Sequence, residues 1–152
     1  MLDEFGQGRV PILGCTATAN LRVVDDVAEQ LGAELTTFRG ALGRSGLGLG
    51  VIDLPAQPER LVWLAERLES IPGSGIIYCL TIRDTQAVAD FLQSRGFDVA
   101  AYSGATESDE REKLERRLQA NDLKALVATS ALGMGYDKPD LGFVIHFQMP
   151  GS

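Results

Sequence analysis

Short unbroken apolar runs alternate along this chain with longer stretches whose apolar residues recur at helical spacing. Val10-Pro-Ile-Leu-Gly-Cys15 reads as a buried strand, and Val24, Val27, Ala28 and Leu31 then mark a helix closed by Gly32. Leu47 to Leu54 reads as a strand interrupted by Gly48 and Gly50, overlapping a Gly40 to Gly50 stretch that carries five glycines in eleven residues. Leu61, Leu64, Ala65 and Leu68 predict the next helix, entered through Pro58 and stopped by Pro72-Gly73. Ile76 to Leu80 predicts a strand, Ala87, Val88, Phe91 and Leu92 a helix ending at Gly96, and Val99 to Tyr102 another strand. Thr106 with Asp109 has the form of a capping box that opens a helix running to about Ala120. Its acids precede bases by four positions in Glu107–Arg111, Asp109–Lys113 and Glu112–Arg116, and only Leu114 and Leu118 form an apolar stripe, so it is an outer, solvated helix. Ala125 to Ala128 and Phe143 to Phe147 are the last strands. Helices between continuous apolar strands imply an α/β fold, a parallel sheet covered on both faces.

Length and composition bound what such a fold can be. At 152 residues and 45% hydrophobic content the chain can bury one core. No apolar run is long enough to span a bilayer and no signal-like start is present, so no membrane association and a cytoplasmic location are expected, beside the nucleoid if the source is bacterial. Cys15 and Cys79 each lie in an apolar run and read as buried reduced thiols. With His146 as the lone histidine, no metal site is expected. His146, in an apolar strand, reads as a packed core residue rather than a general base. The formal net charge of −7 argues against tight electrostatic binding of nucleic acid by this chain alone, and its bases form no cluster.

The candidate chemistry gathers in loops that follow strands, which in an open parallel sheet is where ligands bind. Thr129-Ser-Ala-Leu-Gly-Met-Gly-Tyr-Asp-Lys-Pro-Asp140 joins two strands through small residues, glycines and a carboxylate suited to a ribose hydroxyl. Its Gly133-Met134-Gly135 alone signals no more than a tight turn. The whole string, however, resembles motif V of the RecQ group of superfamily 2 DNA helicases. Four further segments match that group in order. Thr16-Ala17-Thr18-Ala19-Asn20-Leu21-Arg22-Val23 resembles motif III, Gly75-Ile76-Ile77-Tyr78-Cys79-Leu80-Thr81 resembles motif IV, and Ala101-Tyr102-Ser103-Gly104-Ala105 resembles the strand and loop after it. Phe143-Val-Ile-His-Phe-Gln-Met-Pro150 matches the strand after motif V.

The resemblance implies a RecA-like fold, with residues 1–32 closing a first motor domain and 33–152 forming a second one that stops before the arginine-bearing motif VI. It further implies nucleotide contacts at Gly133, Gly135 and Asp137, and DNA contacts at Thr81, Arg83, Ser103, Gly104, Thr129 and Ser130. Thr16 and Thr18 would relay the nucleotide state. Thr81 can equally be a helix N-cap. The sequence departs from the group in carrying Ile82 before Arg83, Ser103 where a histidine is usual, and Leu132 and Tyr136 in place of Phe and Ile or Val.

No Gly-x-x-x-x-Gly-Lys-Ser/Thr loop and no Asp-Glu-x-His run occurs among these residues. The chain is therefore expected to be one piece of a motor, silent by itself. The parent would use ATP and Mg²⁺ on single-stranded or partly duplex DNA, while this piece would need no cofactor to fold. An amino-terminal strand without its own sheet would favour self-association. Two alternatives are an RNA helicase of the DEAD-box kind and a non-catalytic nucleotide-binding or interaction module of the same fold.

Overall fold

The structure, a computed structural model, describes residues 13–16, 21–31, 36–40, 46–133 and 136–149. The chain falls into two compact units, Met1–Leu49 and Gly50–Ser152. The first contains α1 (Leu21–Leu31), in which Val24 and Ala28 are half-buried as their spacing predicts, while Val27 of the same stripe is exposed. Leu13 to Cys15 form no strand and are exposed, Leu13 at 86%, while residues 10–12 lie outside the described residues. Cys15 is thus an exposed thiol, not the buried one expected, because no strand among the described residues pairs with its segment.

The second unit contains α2 (Gln57–Leu68), β1 (Gly75–Tyr78), α3 (Ile82–Ser94), β2 (Val99–Tyr102), α4 (Ser108–Gln119), β3 (Ala125–Ala128) and β4 (Phe143–His146). The four strands form one parallel sheet in the order β2-β3-β1-β4, with Gly75 opposite both Ala125 and Phe143 and Val99 opposite Ala125. Side chains alternate across the sheet, so β1, β2 and β3 each feed two cores, while β4 gives Phe143 and Ile145 to one. Ile77, Val99 and Val127 pack with Leu64 and Leu68 of α2 and Val88 and Leu92 of α3. Ile76, Leu126, Ala128 and Tyr102 pack on the opposite face with Leu114 and Leu118 of α4, and with Leu123 and Leu132. The expected parallel sheet with helices on both faces is what forms.

Three local expectations give way to packing. Leu47 to Leu54 forms no strand, and Leu49 and Val51 are more than nine-tenths exposed. Alternating glycines weaken a strand there, and neither sheet edge takes the segment as a neighbour. Its end is instead fixed by Arg60, whose Nη1 donates to the Leu54 and Pro55 carbonyls at 2.8 Å each while the guanidinium lies 5.2 Å from the Phe147 ring. His146 is exposed rather than packed in the core, because β4 is an edge strand and α4, on that face, contacts β2 and β3. Its ring stacks on Tyr78 with centroids 5.4 Å apart. The capping box at Thr106 also fails to form. α4 starts at Ser108 with Glu107 at its N-cap, and Thr106 Oγ1 accepts from the Ser103 amide. Of the three acid–base pairs read along that helix, Glu112–Arg116 forms at 3.6 Å, and Lys113 turns to Glu110 instead of Asp109.

Two glycines are required by close approach where β1 and β4 begin. A Cβ on Gly75 would come within 2.4 Å of the Phe143 ring, and one on Gly142 would lie 2.5 Å from the Pro72 carbonyl oxygen. The Gly142 amide donates to Ser74 O at 2.8 Å, and that contact sets where the last strand enters the sheet.

Candidate nucleotide and nucleic-acid interface

Because all four strands run the same way, the loops that follow them meet at one edge of the sheet. Backbone bonds stitch these loops together: Cys79 N donates to Ala128 O at 2.8 Å, Thr129 N to Tyr102 O at 3.2 Å, and Phe147 N to Tyr78 O at 2.9 Å. Thr81, Arg83, Ser103, Gly104, Thr129, Ser130 and Gly133 thereby gather on one side of the second unit, whereas Asp137 lies further along the loop, between residues tied to the end of α4. Thr16 belongs to the first unit, and Thr18 and Gly135 lie outside the described residues.

After β1, Thr81 is the N-cap of α3. Its Oγ1 accepts from Asp84 N at 3.0 Å and donates to Asp84 Oδ2 at 2.9 Å. Such a cap is worth about 1 kcal/mol. The Asp84 carboxylate also accepts from Gln148 Nε2 at 2.8 Å, while Gln148 Oε1 accepts from Leu80 N at 3.2 Å. A carboxylate therefore already occupies the positive end of this helix, which leaves exposed Arg83 as the group there that suits an incoming phosphate. The Cys79 thiol beside it is pushed up to about 12, by burial first and then by Asp84, so it stays protonated and inert at neutral pH.

The loop after β2 is closed on itself. Ser103 is buried, its amide is donated to Thr106 Oγ1 at 3.1 Å, and its Oγ accepts from Ala105 N at 3.2 Å. Gly104 is exposed at the turn and is better placed than Ser103 to offer an amide to a phosphate. Beneath them the Tyr102 hydroxyl donates to Glu115 and is raised to about 12, chiefly by burial.

The loop after β3 has a tight first half. Thr129 O accepts from Leu132 N at 3.1 Å, Thr129 Oγ1 accepts from Ala131 N at 3.4 Å, and the Tyr78 hydroxyl donates to Leu132 O. Leu132 is buried in the core on the α4 face, while Ser130 and Gly133 are exposed. Asp137 is exposed too, between half-buried Tyr136 and buried Lys138. Among the described residues no group of three His, Cys, Asp or Glu could hold a metal ion.

Asp84 and Gln148 shape this edge but were not singled out from sequence, and Tyr78 was read there only as part of motif IV. Thr81-x-x-Asp84 carries a readable cap signal. Nothing local announces that a tyrosine in β1 will hold a carbonyl 54 positions later.

Asp140 accepts from Asn121 Nδ2 at 2.8 Å and from Lys138 Nζ at 2.7 Å, and these bonds, Asn121's first, hold its carboxyl down at about 2. A depressed folded-state value means the stabilisation is complete above the ordinary value of 3.8 and is lost as pH falls through about 2. The difference in urea midpoint between wild type and Asp140→Asn should accordingly be constant from pH 7 to about 5, shrink progressively toward pH 2 and vanish below it. A difference still undiminished at pH 2 would contradict this pairing.

Comparison with known proteins places this edge in context. The helicase conserved C-terminal domain matches residues 57–152, and the chain belongs to that family. It is similar over nearly its whole length to RecQ-like DNA helicases. It is 39% identical over 147 residues to a putative ATP-dependent DNA helicase Q1 of Caenorhabditis elegans, covering 94% of this chain and 23% of that protein. It is 32% identical over 153 residues to the RecQ-like DNA helicase blm-1 of the same organism, covering 99% of this chain and 15% of that one. The chain thus spans about a quarter or less of these relatives. Among solved structures, S. cerevisiae Dbp5 bound to RNA and ADP BeF3 superposes with a TM-score of 0.75 over 89% of this chain and 35% of Dbp5. At 21% identity that likeness is one of fold.

Proposed function

We propose that this chain is the second motor domain of an ATP-dependent, RecQ-like DNA helicase, in which the loop after β3 joins nucleotide to DNA. The observation that carries the reading is the convergence of Thr81, Gly104 and Thr129 on one sheet edge, from which the loop that bears Asp137 departs, in a chain similar along 94% of its length to a protein named as an ATP-dependent DNA helicase.

In this reading Thr129 and Ser130 offer hydroxyls, and Gly104 an amide, to a DNA phosphate, and Arg83 adds charge. Such contacts position the strand without reading its bases. Exposed Asp137 would accept from a ribose hydroxyl, with Gly133 allowing close approach, while Mg²⁺ and the phosphates would be held by groups outside the described residues. ATP supplies the phosphoryl-transfer chemistry when bound between this surface and a phosphate-loop domain. Gly135, Thr16 and Thr18 keep the nucleotide and relay roles that the RecQ resemblance implies. Exposed Leu13 is available for pairing between copies through the amino-terminal segment.

The 152-residue chain alone should show no ATP hydrolysis above background with or without single-stranded DNA. At net charge −7, its hold on a labelled oligonucleotide should be weak and vanish near 150 mM salt, about the physiological ionic strength. DNA-stimulated turnover by this chain alone, or binding that survives high salt, would overturn the reading.

A further inference from the structure

The loop from Thr129 to Asp140 is fastened at two places. Near its start the anchor is Leu132, 2% exposed, with its amide on Thr129 O and its carbonyl held by the Tyr78 hydroxyl. At its exit the anchor is Lys138. Its side chain is fully buried, and its ammonium donates to Asp140 Oδ1 at 2.7 Å and to the Gln119 carbonyl at 3.4 Å. Gln119 is the last residue of α4, so the lysine places positive charge at the negative end of that helix and satisfies one of its terminal carbonyls.

The surrounding groups complete a small latch. Asn121, in the left-handed turn that ends α4 with φ of 62°, donates from Nδ2 to Asp140 Oδ2 at 2.8 Å, and the Tyr136 hydroxyl donates to Gln119 Oε1 at 3.3 Å. A lysine head is rarely withdrawn from water, since burial is costly unless every donor is matched. Here the residues on both sides of Asp137 are tied to Gln119, through Tyr136 at its side chain and through Lys138 at its carbonyl. Asp137 itself projects into solvent between them.

We propose that Lys138 is a positioning residue: it pins the exit of the loop to the end of α4 and so sets where Asp137 stands. The functional half of this statement rests on Asp137 being a nucleotide contact. Lys138 itself, with its side chain fully buried, acts through the backbone next to it.

Hydrogen exchange of the 152-residue chain tests the structural half without any activity. In Lys138→Met, which keeps the length of the side chain and removes the charge, the amides of residues 136–138, 140 and 141 should exchange at least about tenfold faster, while those of β1 and β3 change less than twofold. If Lys138→Met fails to fold, Asp140→Asn, which alters an exposed carboxylate, should give the same local pattern at smaller size. Unchanged exchange at 136–141, or an equal increase across the sheet, would overturn the proposal.

The functional half is read in a protein that joins this domain to a phosphate-loop domain. Lys138→Met should raise KM for ATP about tenfold with DNA affinity within twofold, and Lys138→Arg should recover most of the loss. An unchanged KM would overturn it. Wild-type protein that shows no DNA-stimulated hydrolysis while the exchange pattern appears as described would sink the helicase reading and leave the latch standing.

Discussion

Gly142→Ala is expected to cost the domain about 3 kcal/mol of unfolding free energy, the upper end for overpacking a site that cannot relax. A Cβ there would lie 2.5 Å from Pro72 O, 3.2 Å from Gly73 Cα and 3.3 Å from Ser74 O. All three are backbone atoms of the segment that leads into β1, so no side chain can swing aside. Relief requires β4 to move off β1, which breaks the bond from Gly142 N to Ser74 O and disturbs the register of Gly75 with Phe143. Gly104→Ala provides the control, because nothing lies within 4 Å of a Cβ at that position and its stability should change by less than about 0.5 kcal/mol. Denaturant titration of the two variants decides it, and equal midpoints would show that the β1–β4 junction is not as close as described.

The second large effect concerns the two sides of the loop after β3. In a protein joining this domain to a phosphate-loop domain, Asp137→Ala should lower DNA-stimulated ATP hydrolysis on the order of 100-fold, the size typical of losing one well-placed polar contact in a water-poor site. Its affinity for single-stranded DNA should stay within about threefold. Thr129→Ala should do the reverse, weakening DNA binding more than the hydrolysis rate at saturating DNA. The assignment has a structural basis. Thr129 stands at the end of β3, bonded to Tyr102 O, beside the loop that presents Gly104, whereas Asp137 lies eight residues on, beyond the Leu132 anchor. Steady-state kinetics paired with oligonucleotide titration reads both changes, and an exchange of the two phenotypes would refute the assignment.

Much of the fold was legible because its signals are local. Ala125 to Ala128 could only be a buried strand, and Leu64, Leu68, Val88 and Leu92 stand one turn apart on helices that must cover such a strand. Segments whose state depends on distant partners were less legible. Leu47 to Leu54 has strand-like residues but finds no neighbour to pair with, and His146 lies in an apolar run yet on an edge strand that α4 does not reach. Cys15 failed for the same reason as Leu47 to Leu54. At the candidate site, motif order located the loops, since loops after parallel strands must share one edge. It did not reveal that the α3 amino terminus is filled by Asp84, that the Ser103 amide is already donated to Thr106, or that Lys138 is buried against α4. The first two rest on partners three positions apart and leave a local trace, whereas Lys138 meets Gln119 across 19 positions and Asp84 meets Gln148 across 64, contacts of which spacing along the chain carries no trace.

The central claim is that one loop links nucleotide to DNA, and linkage of this kind is reciprocal in binding free energy. Its most direct measurement is the affinity for a labelled single-stranded oligonucleotide, with and without a non-hydrolysable ATP analogue, in the protein that joins this domain to a phosphate-loop domain. The nucleotide should change that affinity by at least about fivefold, a coupling of roughly 1 kcal/mol, and Asp137→Ala should abolish the difference while leaving nucleotide-free DNA affinity intact. An affinity indifferent to nucleotide in the wild-type protein, or a coupling that survives in Asp137→Ala, would contradict the account.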